Sequence, residues 1–381
     1  MEGRGTAVNE TILRASQPVG APPNGAEIRL ERVLDAVNAR RIDAMVVTSD
    51  ESIAYLTGFR PHQLERFFGV VLSIRGGAVI VPRLDEGQVE APGKLGRVSY
   101  GPESDGFPEL ARVLGPARTV GVEEDHLSYS RARSLADRGF ELIPAAFAVM
   151  ELRMQKTDDE IERLRAACEL VEAALNHTFE LLHVGIAEDA LNARVEGWLR
   201  EQGAEEVHPL ILFGENAANP HAQPGKRHLR RGDVVCADIS ARLDGYWGDL
   251  TRCATAGPPS EWAQEAWLTV RDAQRKAIEQ CKVGVPGRDV DLAQRRIIEA
   301  ASTIGSCLHG AGHAIGLGIH EPPFLVPRTE RPLADGNVLT IEPGIYHPEF
   351  GGIRIEDDVV VRRSEPDILS HLPQELTEVG A

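Results

Sequence analysis

Four acids of this chain interrupt runs that otherwise read as apolar strands: Asp238 in DVVCADIS, Asp249 in YWGDLTR, Glu342 in VLTIEPG and Glu356 in GGIRIEDD. Asp244-Gly245, a strong turn dipeptide, lies beside the midpoint of the first two, so a hairpin folded there sets Asp238 against Asp249. The segment HPEFGG lies midway between Glu342 and Glu356 and does the same for them. Residues directly opposed across a hairpin have Cβ atoms roughly 4.5–5.5 Å apart. Like charges at that distance repel unless a cation lies between them. Arg354, two residues before Glu356, shares its face of the strand.

Two readings follow. In a chain with 58 acids, four unrelated surface carboxylates are the plain alternative. Apolar flanks fit that poorly and the doubled arrangement fits it worse, whereas a metal site fits both. The stretch HGAGHAIGLGIHEPP, from His309 to Pro323, adds three histidines spaced by glycines. As a phosphate-binding turn it lacks a leading strand and a following helix. As part of a metal site it supplies His313, around which the glycines let the backbone pass close. Carboxylates with one imidazole suit Mn²⁺, Co²⁺ or Zn²⁺. Four carboxylates plus His313 exceed what one structural ion needs; they suit two ions about 3.5–4 Å apart, with bridging carboxylates and a bridging hydroxide. Taken alone, His309 reads as an ordinary core or surface histidine.

The elements that must position these groups read as α/β (α+β). Residues 1–26, rich in Gly, Pro, Ala and Asn, read as a loose extension. Residues 27–147 form a small α/β domain: a helix in IRLERVLDAVNARR, then strands in AMVVTS, FFGVVLSI, AVIVP, ARTVGVE and ELIPA. Residues 148–381 form the domain that carries the acids. It begins with a long helix, where Thr157 and Glu160 make a capping box and Ile161, Leu164, Cys168, Val171, Leu175, Phe179 and Leu182 make one stripe. This domain repeats itself. Helix, Val-Gly, helix and hairpin recur with an offset of about 100 residues, with Gly185 and Gly284 in matching places. The repeat is pseudo-two-fold, and each half supplies one pair of acids.

The formal net charge of −17 makes nucleic acid and anionic membranes poor partners. Five scattered cysteines without a Cys-x-x-Cys pattern suit reduced thiols. With no signal-like start and no apolar run of spanning length, the expectation is a cytoplasmic protein.

The motifs NPHAQPG, ADISARLDGYWGDLTR, HGAGHAIGLGIHEPP, LTIEPGIY and GIRIEDD resemble those of the pita-bread metallopeptidases, a family that holds methionine aminopeptidase, aminopeptidase P and prolidase. They stand in the family's order and cover most of residues 155–362. The first domain, with AMVVTSDESIAYLTGF, resembles the creatinase-like domain of prolidases and aminopeptidase P. The resemblance implies a small creatinase-like N-terminal domain before a pseudo-two-fold pita-bread catalytic domain. It implies metal ligands at Asp238, Asp249, His313, Glu342 and Glu356, with Asp249 and Glu356 bridging. It also implies substrate-facing histidines at His221, His309 and His320, with Arg354 and Tyr346 beside the centre. Ser240 and Cys253 depart from the family's common Gly and Thr without touching a ligand position.

The activity implied is hydrolysis of the Xaa-Pro bond of dipeptides or short peptides, with two divalent ions per chain, Mn²⁺ first and Co²⁺ or Zn²⁺ as alternatives. A metal-bridging hydroxide attacks, Glu342 moves a proton, and His320 and His221 steady the oxyanion. The resemblance also implies a homodimer acting on a proline-containing peptide. Other readings are an ectoine-hydrolase-like amidohydrolase on the same fold and a non-catalytic peptide-binding module. In the first domain, RPHQLERFFGVVLSI sets Arg60, His62 and Arg66 before a strand. Either these are merely solvated, or Arg60 or Arg66 grips the free carboxylate of a short peptide.

Overall fold

The computed structural model describes residues 25–63 and 65–380. The expected extension over 1–26 lies, up to residue 24, outside them. Two compact units meet in the chain between Arg153 and Met154.

The N-terminal unit runs α1 (Ala26–Asn38), β1 (Ala44–Val47), α2 (Asp50–Thr57), β2 (Gly69–Ser73), β3 (Gly76–Pro82), β4 (Gly96–Tyr100), α3 (Phe107–Leu114), β5 (Thr119–Val122), α4 (Tyr129–Ala136), β6 (Glu141–Pro144) and α5 (Phe147–Met154). One six-stranded sheet has the order β4-β3-β2-β1-β5-β6. Only β2 runs against its neighbours; β3–β4 and β1–β5–β6 are parallel pairings. Central β1 is buried along its whole length, which is why it reads as an uninterrupted apolar run. Strand β4, GRVSY, carries no such run, because on this edge of the sheet only Tyr100 is buried. Helix α2 starts where the Ser49 hydroxyl accepts from Ser52 N–H and stops at Gly58, whose φ of 76° places it in the left-handed region.

The C-terminal unit runs α6 (Asp158–Leu181), α7 (Glu188–Glu201), β7 (Glu206–Phe213), β8 (Val234–Leu243), β9 (Tyr246–Ala256), α8 (Glu261–Ile278), α9 (Gly287–Ala300), β10 (Gly312–Ala314), β11 (Glu321–Leu325), β12 (Val338–Ile341), β13 (Gly344–His347), β14 (Gly351–Arg354), β15 (Asp357–Val360), β16 (Asp367–Ile368) and β17 (Thr377–Val379). Its sheets are β17-β9-β8-β7, β11-β10-β12-β15-β16 and the pair β13-β14. Helix α6 opens with both hydrogen bonds of the Thr157–Glu160 capping box. Ile161, Leu164, Cys168, Val171 and Leu175 of its stripe are buried, while Phe179 packs half-buried against the same core.

The internal repeat extends to single hydrogen bonds. Gly185 N–H donates to Leu229 O at 2.9 Å, and Leu229 N–H returns to Ile186 O at 2.9 Å. In the second half Gly284 N–H donates to Leu333 O and Leu333 N–H to Val285 O, both at 2.8 Å. Both glycines have positive φ, 95° and 90°. A side chain at either would strain the turn between the paired helices.

Register separates the two hairpins. In β8–β9 the turn is Asp244-Gly245, both residues with positive φ, and Leu243 pairs with Tyr246. That two-residue turn sets Ser240 opposite Asp249 and Asp238 opposite Thr251. The expected direct opposition of Asp238 and Asp249 is therefore corrected. The acids share a face but lie on a diagonal, at the wider spacing of roughly 7–8 Å that diagonal neighbours have. In the second hairpin, both the β13–β14 and the β12–β15 ladders continue to a register that sets Glu342 opposite Glu356. The ladder breaks there. Pro343 has no N–H to give, Glu342 N–H goes to Ala311 O at 2.9 Å, and Glu356 N–H goes to Thr251 O at 3.1 Å.

Candidate metal centre

Asp249, His313 and Glu356 bring one donor atom each within 4.8 Å of one another, and all three are buried. They come from β9, from β10 and from the link between β14 and β15. Glu342 joins them, with one carboxylate oxygen 3.7 Å from His313 Nε2 and the other 4.0 Å from His309 Nδ1. Asp238, half-buried on β8, accepts a hydrogen bond from Arg354 Nη2.

The glycines beside His313 are there for backbone approach. A Cβ on Gly312, whose φ is 150°, would stand 2.0 Å from Thr340 O, and one on Gly310 would stand 2.5 Å from Leu325 O. Only glycine lets β10 run this close to its neighbours. His313 Nδ1 then lies 3.1 Å from Ala314 O. A carbonyl can only accept, so Nδ1 carries the proton and the Nε2 lone pair faces Glu342. Burial first, then the neighbouring His320, lowers the His313 pKa to about 3, so the ring is neutral at ordinary pH.

The carboxylates are like charges crowded together in a buried place. Burial, then the charges of Asp238 and Asp358, pushes Asp249 well above the usual carboxylate range. Burial, then Asp249 and Glu342, does the same to Glu356. Burial raises Glu342 to about 7 even with Arg354 opposing. Buried acids that hold one another's protons on, around one neutral imidazole, are the donor chemistry a divalent cation relieves. The residues present fit such an ion.

Hydroxyls and one guanidinium order these donors. The Ser240 hydroxyl donates to Asp249 Oδ1 at 2.8 Å, and the Thr251 hydroxyl donates to Glu356 Oε2 at 2.7 Å. Thr251 Oγ1 in turn accepts from Arg354 Nε at 3.0 Å. Arg354 Nη1 donates to the Tyr346 hydroxyl at 2.9 Å, and that hydroxyl lies 2.8 Å from His309 Nε2. Since Arg354 can only donate, the Tyr346 proton points to His309, whose Nδ1 holds a proton toward Gly310 O at 2.9 Å. Burial, then Arg354, lowers the His309 pKa to about 4. His309, Tyr346, Arg354 and Asp238 thus form one hydrogen-bonded chain beside the carboxylates.

His320 stands on an exposed turn with its ring perpendicular to that of His313, centroids 4.3 Å apart. The turn is pinned from beneath: Glu321 accepts from Gly318 N–H at 2.8 Å and pairs with Lys156 at 3.4 Å, and both side chains are buried. His221 is exposed, close enough to His309 and His320 to oppose their protonation. Its loop is anchored by Glu188. This fully buried carboxylate accepts from Phe213 N–H at 2.8 Å, Asn216 Nδ2 at 2.9 Å and Gly225 N–H at 3.1 Å. Arg252, also buried, ties the halves together by donating to Glu356 O at 2.7 Å and Asp357 Oδ1 at 2.6 Å. Sequence reasoning misses Glu188, Arg252, Thr251, Lys156 and Glu321. The one signal in plain view is Glu321, next to His320 in the histidine motif.

Arg60 and Arg66 belong to the N-terminal unit. Arg60 is mostly buried and pairs with Glu51; Arg66 is exposed, 3.3 Å from Glu65. The five cysteines are free thiols. Among the described residues no helix is long and apolar enough to cross a membrane.

Comparisons with known proteins bear on the family and the fold. Residues 162–363 match the model of metallopeptidase family M24, and residues 29–155 match that of the creatinase/prolidase N-terminal domain. Uncharacterized peptidases of Staphylococcus aureus are 30% identical over 350 residues, spanning 90% of this chain and 99% of theirs. An Xaa-Pro dipeptidase from Bacillus anthracis has a similar structure, with a TM-score of 0.86 at 29% identity over 93% of this chain and 100% of that one. So does an X-Pro aminopeptidase from Thermotoga maritima, with a TM-score of 0.82 at 30% identity over 92% of this chain and 99% of that one.

Proposed function

This chain belongs to metallopeptidase family M24, and we propose that it hydrolyses the Xaa-Pro bond of dipeptides or short peptides. The observation that carries the reading is the buried Asp249–His313–Glu356 cluster with Glu342 against His313. The similarity to an Xaa-Pro dipeptidase and an X-Pro aminopeptidase supports the choice of bond. Two divalent ions held by Asp238, Asp249, His313, Glu342 and Glu356, Mn²⁺ first and Co²⁺ or Zn²⁺ as alternatives, would polarise the scissile carbonyl and ready a water near neutral pH.

The chain's own residues do the rest. Glu342 carries a proton from the attacking water to the leaving nitrogen, a step of the kind worth about 10²–10⁴-fold. His320 and His221 donate to the oxygen on which charge develops. Arg354, held by Tyr346 and Thr251, fixes Asp238, and Tyr346 steadies His309 at the wall. A proline nitrogen in the peptide has no hydrogen, so selection falls to a site shaped for the ring. Arg60 or Arg66 takes the free carboxylate of a dipeptide, in exchange for its present acidic neighbour, Glu51 or Glu65. The enzyme acts as a homodimer in the cytoplasm, an extension carried by the resemblance and by the free thiols.

The test is a substrate panel on Mn²⁺-loaded protein: an Xaa-Pro dipeptide, its C-terminal amide, a longer Xaa-Pro peptide, a dipeptide without proline, and ectoine. Cleavage confined to Xaa-Pro bonds supports the reading. Turnover of ectoine alone, or equal turnover of the dipeptide without proline, refutes it.

A further inference from the structure

A cavity of about 860 Å³ lies wholly within the N-terminal unit, where β3 and β4 end side by side at Pro82 and Tyr100. The volume is that of a small-molecule site. The floor is aromatic. Phe67, Tyr100 and Phe107 line it and are almost wholly buried, with the Phe67 and Phe107 rings 4.8 Å apart. It is also fixed: the Tyr100 hydroxyl accepts from Phe67 N–H and donates to Phe67 O, each at 2.9 Å.

Three arginines, Arg66, Arg83 and Arg131, line the same cavity and outnumber the two acids there, Glu65 and Asp105. In a chain of net charge −17 such a convergence runs against the overall field. Arg66 and Arg83 have acidic neighbours, Glu65 at 3.3 Å and Glu103 at 3.7 Å, but these pairs are exposed and weak. Arg131 differs. It is half-buried, 5.4 Å from the centre of the Phe67 ring, and donates to Arg66 O at 3.3 Å. Among the described residues no carboxylate pairs with it. A planar cation laid over an aromatic floor, with donors to spare, is a seat for an oxyanion.

We propose that this pocket binds a small organic anion, a carboxylate or phosphate joined to an apolar group. The apolar group lies against Phe67, Tyr100 and Phe107, and the charge lies on Arg131 and Arg83. Nothing in this depends on the peptidase reading, because every residue belongs to the N-terminal unit.

Calorimetry on the full chain tests it, with 3-phenylpropionate and phenyl phosphate as probes and 3-phenylpropanol as the neutral control. At least one anion should bind saturably and the alcohol should not. Which anion binds decides between carboxylate and phosphate. Arg131→Gln and Arg83→Gln, with melting temperatures unchanged, should each weaken binding about tenfold or more. Three results overturn the proposal: no binding of either anion at about 10 mM, equal binding of the alcohol, or wild-type affinity in both folded variants.

Discussion

The two hairpins that carry the acids place them by opposite backbone means. In β8–β9 the ladder is unbroken from Val234–Thr255 to Leu243–Tyr246, and Asp238 and Asp249 lie on a diagonal of one face. In the second half the ladder is interrupted where the acids stand, and Glu342 and Glu356 come into direct register between two shorter ladders. The interruption frees their N–H groups for other carbonyls, that of Ala311 just before β10 and that of Thr251 on β9. What the halves share is the placement of two carboxylates, not the backbone that achieves it. Support crosses in both directions: Thr251 and Arg252 of the first hairpin bind Glu356, and Arg354 of the second binds Asp238.

That comparison can be broken at four places. The largest effect should come from the donors themselves. Asp249→Ala and Glu356→Ala, one from each half, should each lower kcat by about 10³-fold or more, as loss of an essential group does. A variant that keeps activity near wild type would remove its residue from the centre. Next is the tie between halves. Arg252→Met leaves Asp357 buried without its cation and should cost about 3–5 kcal/mol of stability in a denaturant titration; a loss under about 1 kcal/mol would mean that the halves hold together without it. Third, Thr251→Val keeps the shape and removes the hydroxyl between Arg354 and Glu356. Metal affinity or kcat should fall about 10–100-fold with the melting temperature nearly kept, and an unchanged value would reduce Thr251 to packing. The smallest effect belongs to the turn. Gly245→Ala, at a φ of 83°, should cost about 1–2 kcal/mol while metal content is retained. Loss of metal there would show that the diagonal spacing depends on the turn more tightly than the ladder suggests.

Much of this arrangement is legible in the sequence, for physical reasons. Acids inside apolar runs are costly, so Asp238, Asp249, Glu342 and Glu356 stand out. Asp244-Gly245 marks its turn by chemistry, and Thr157 with Glu160 marks the start of α6 by spacing. The exact register does not stand out. Whether the partner of Asp249 is Asp238 or Ser240 depends on a two-residue shift that the apolar pattern allows equally, because both choices keep the same faces. The supporting residues are hidden for another reason. Thr251 and Glu356 stand 105 residues apart, and Lys156 and Glu321 stand 165 apart. Nothing local distinguishes this Thr or this Lys from any other. Strand β4 hides because an edge strand with one buried side chain has no apolar run to show.

The central claim is that the two hairpins and His313 make one metal-dependent hydrolytic centre. Its most direct test is metal analysis of wild type and Asp249→Ala after loading with Mn²⁺ and desalting, beside Xaa-Pro dipeptide hydrolysis with and without chelator. Expected are about two ions per wild-type chain, loss of metal from the folded variant, and hydrolysis that a chelator abolishes and Mn²⁺ restores. Full occupancy in Asp249→Ala, or dipeptide hydrolysis by metal-free wild type, would contradict it.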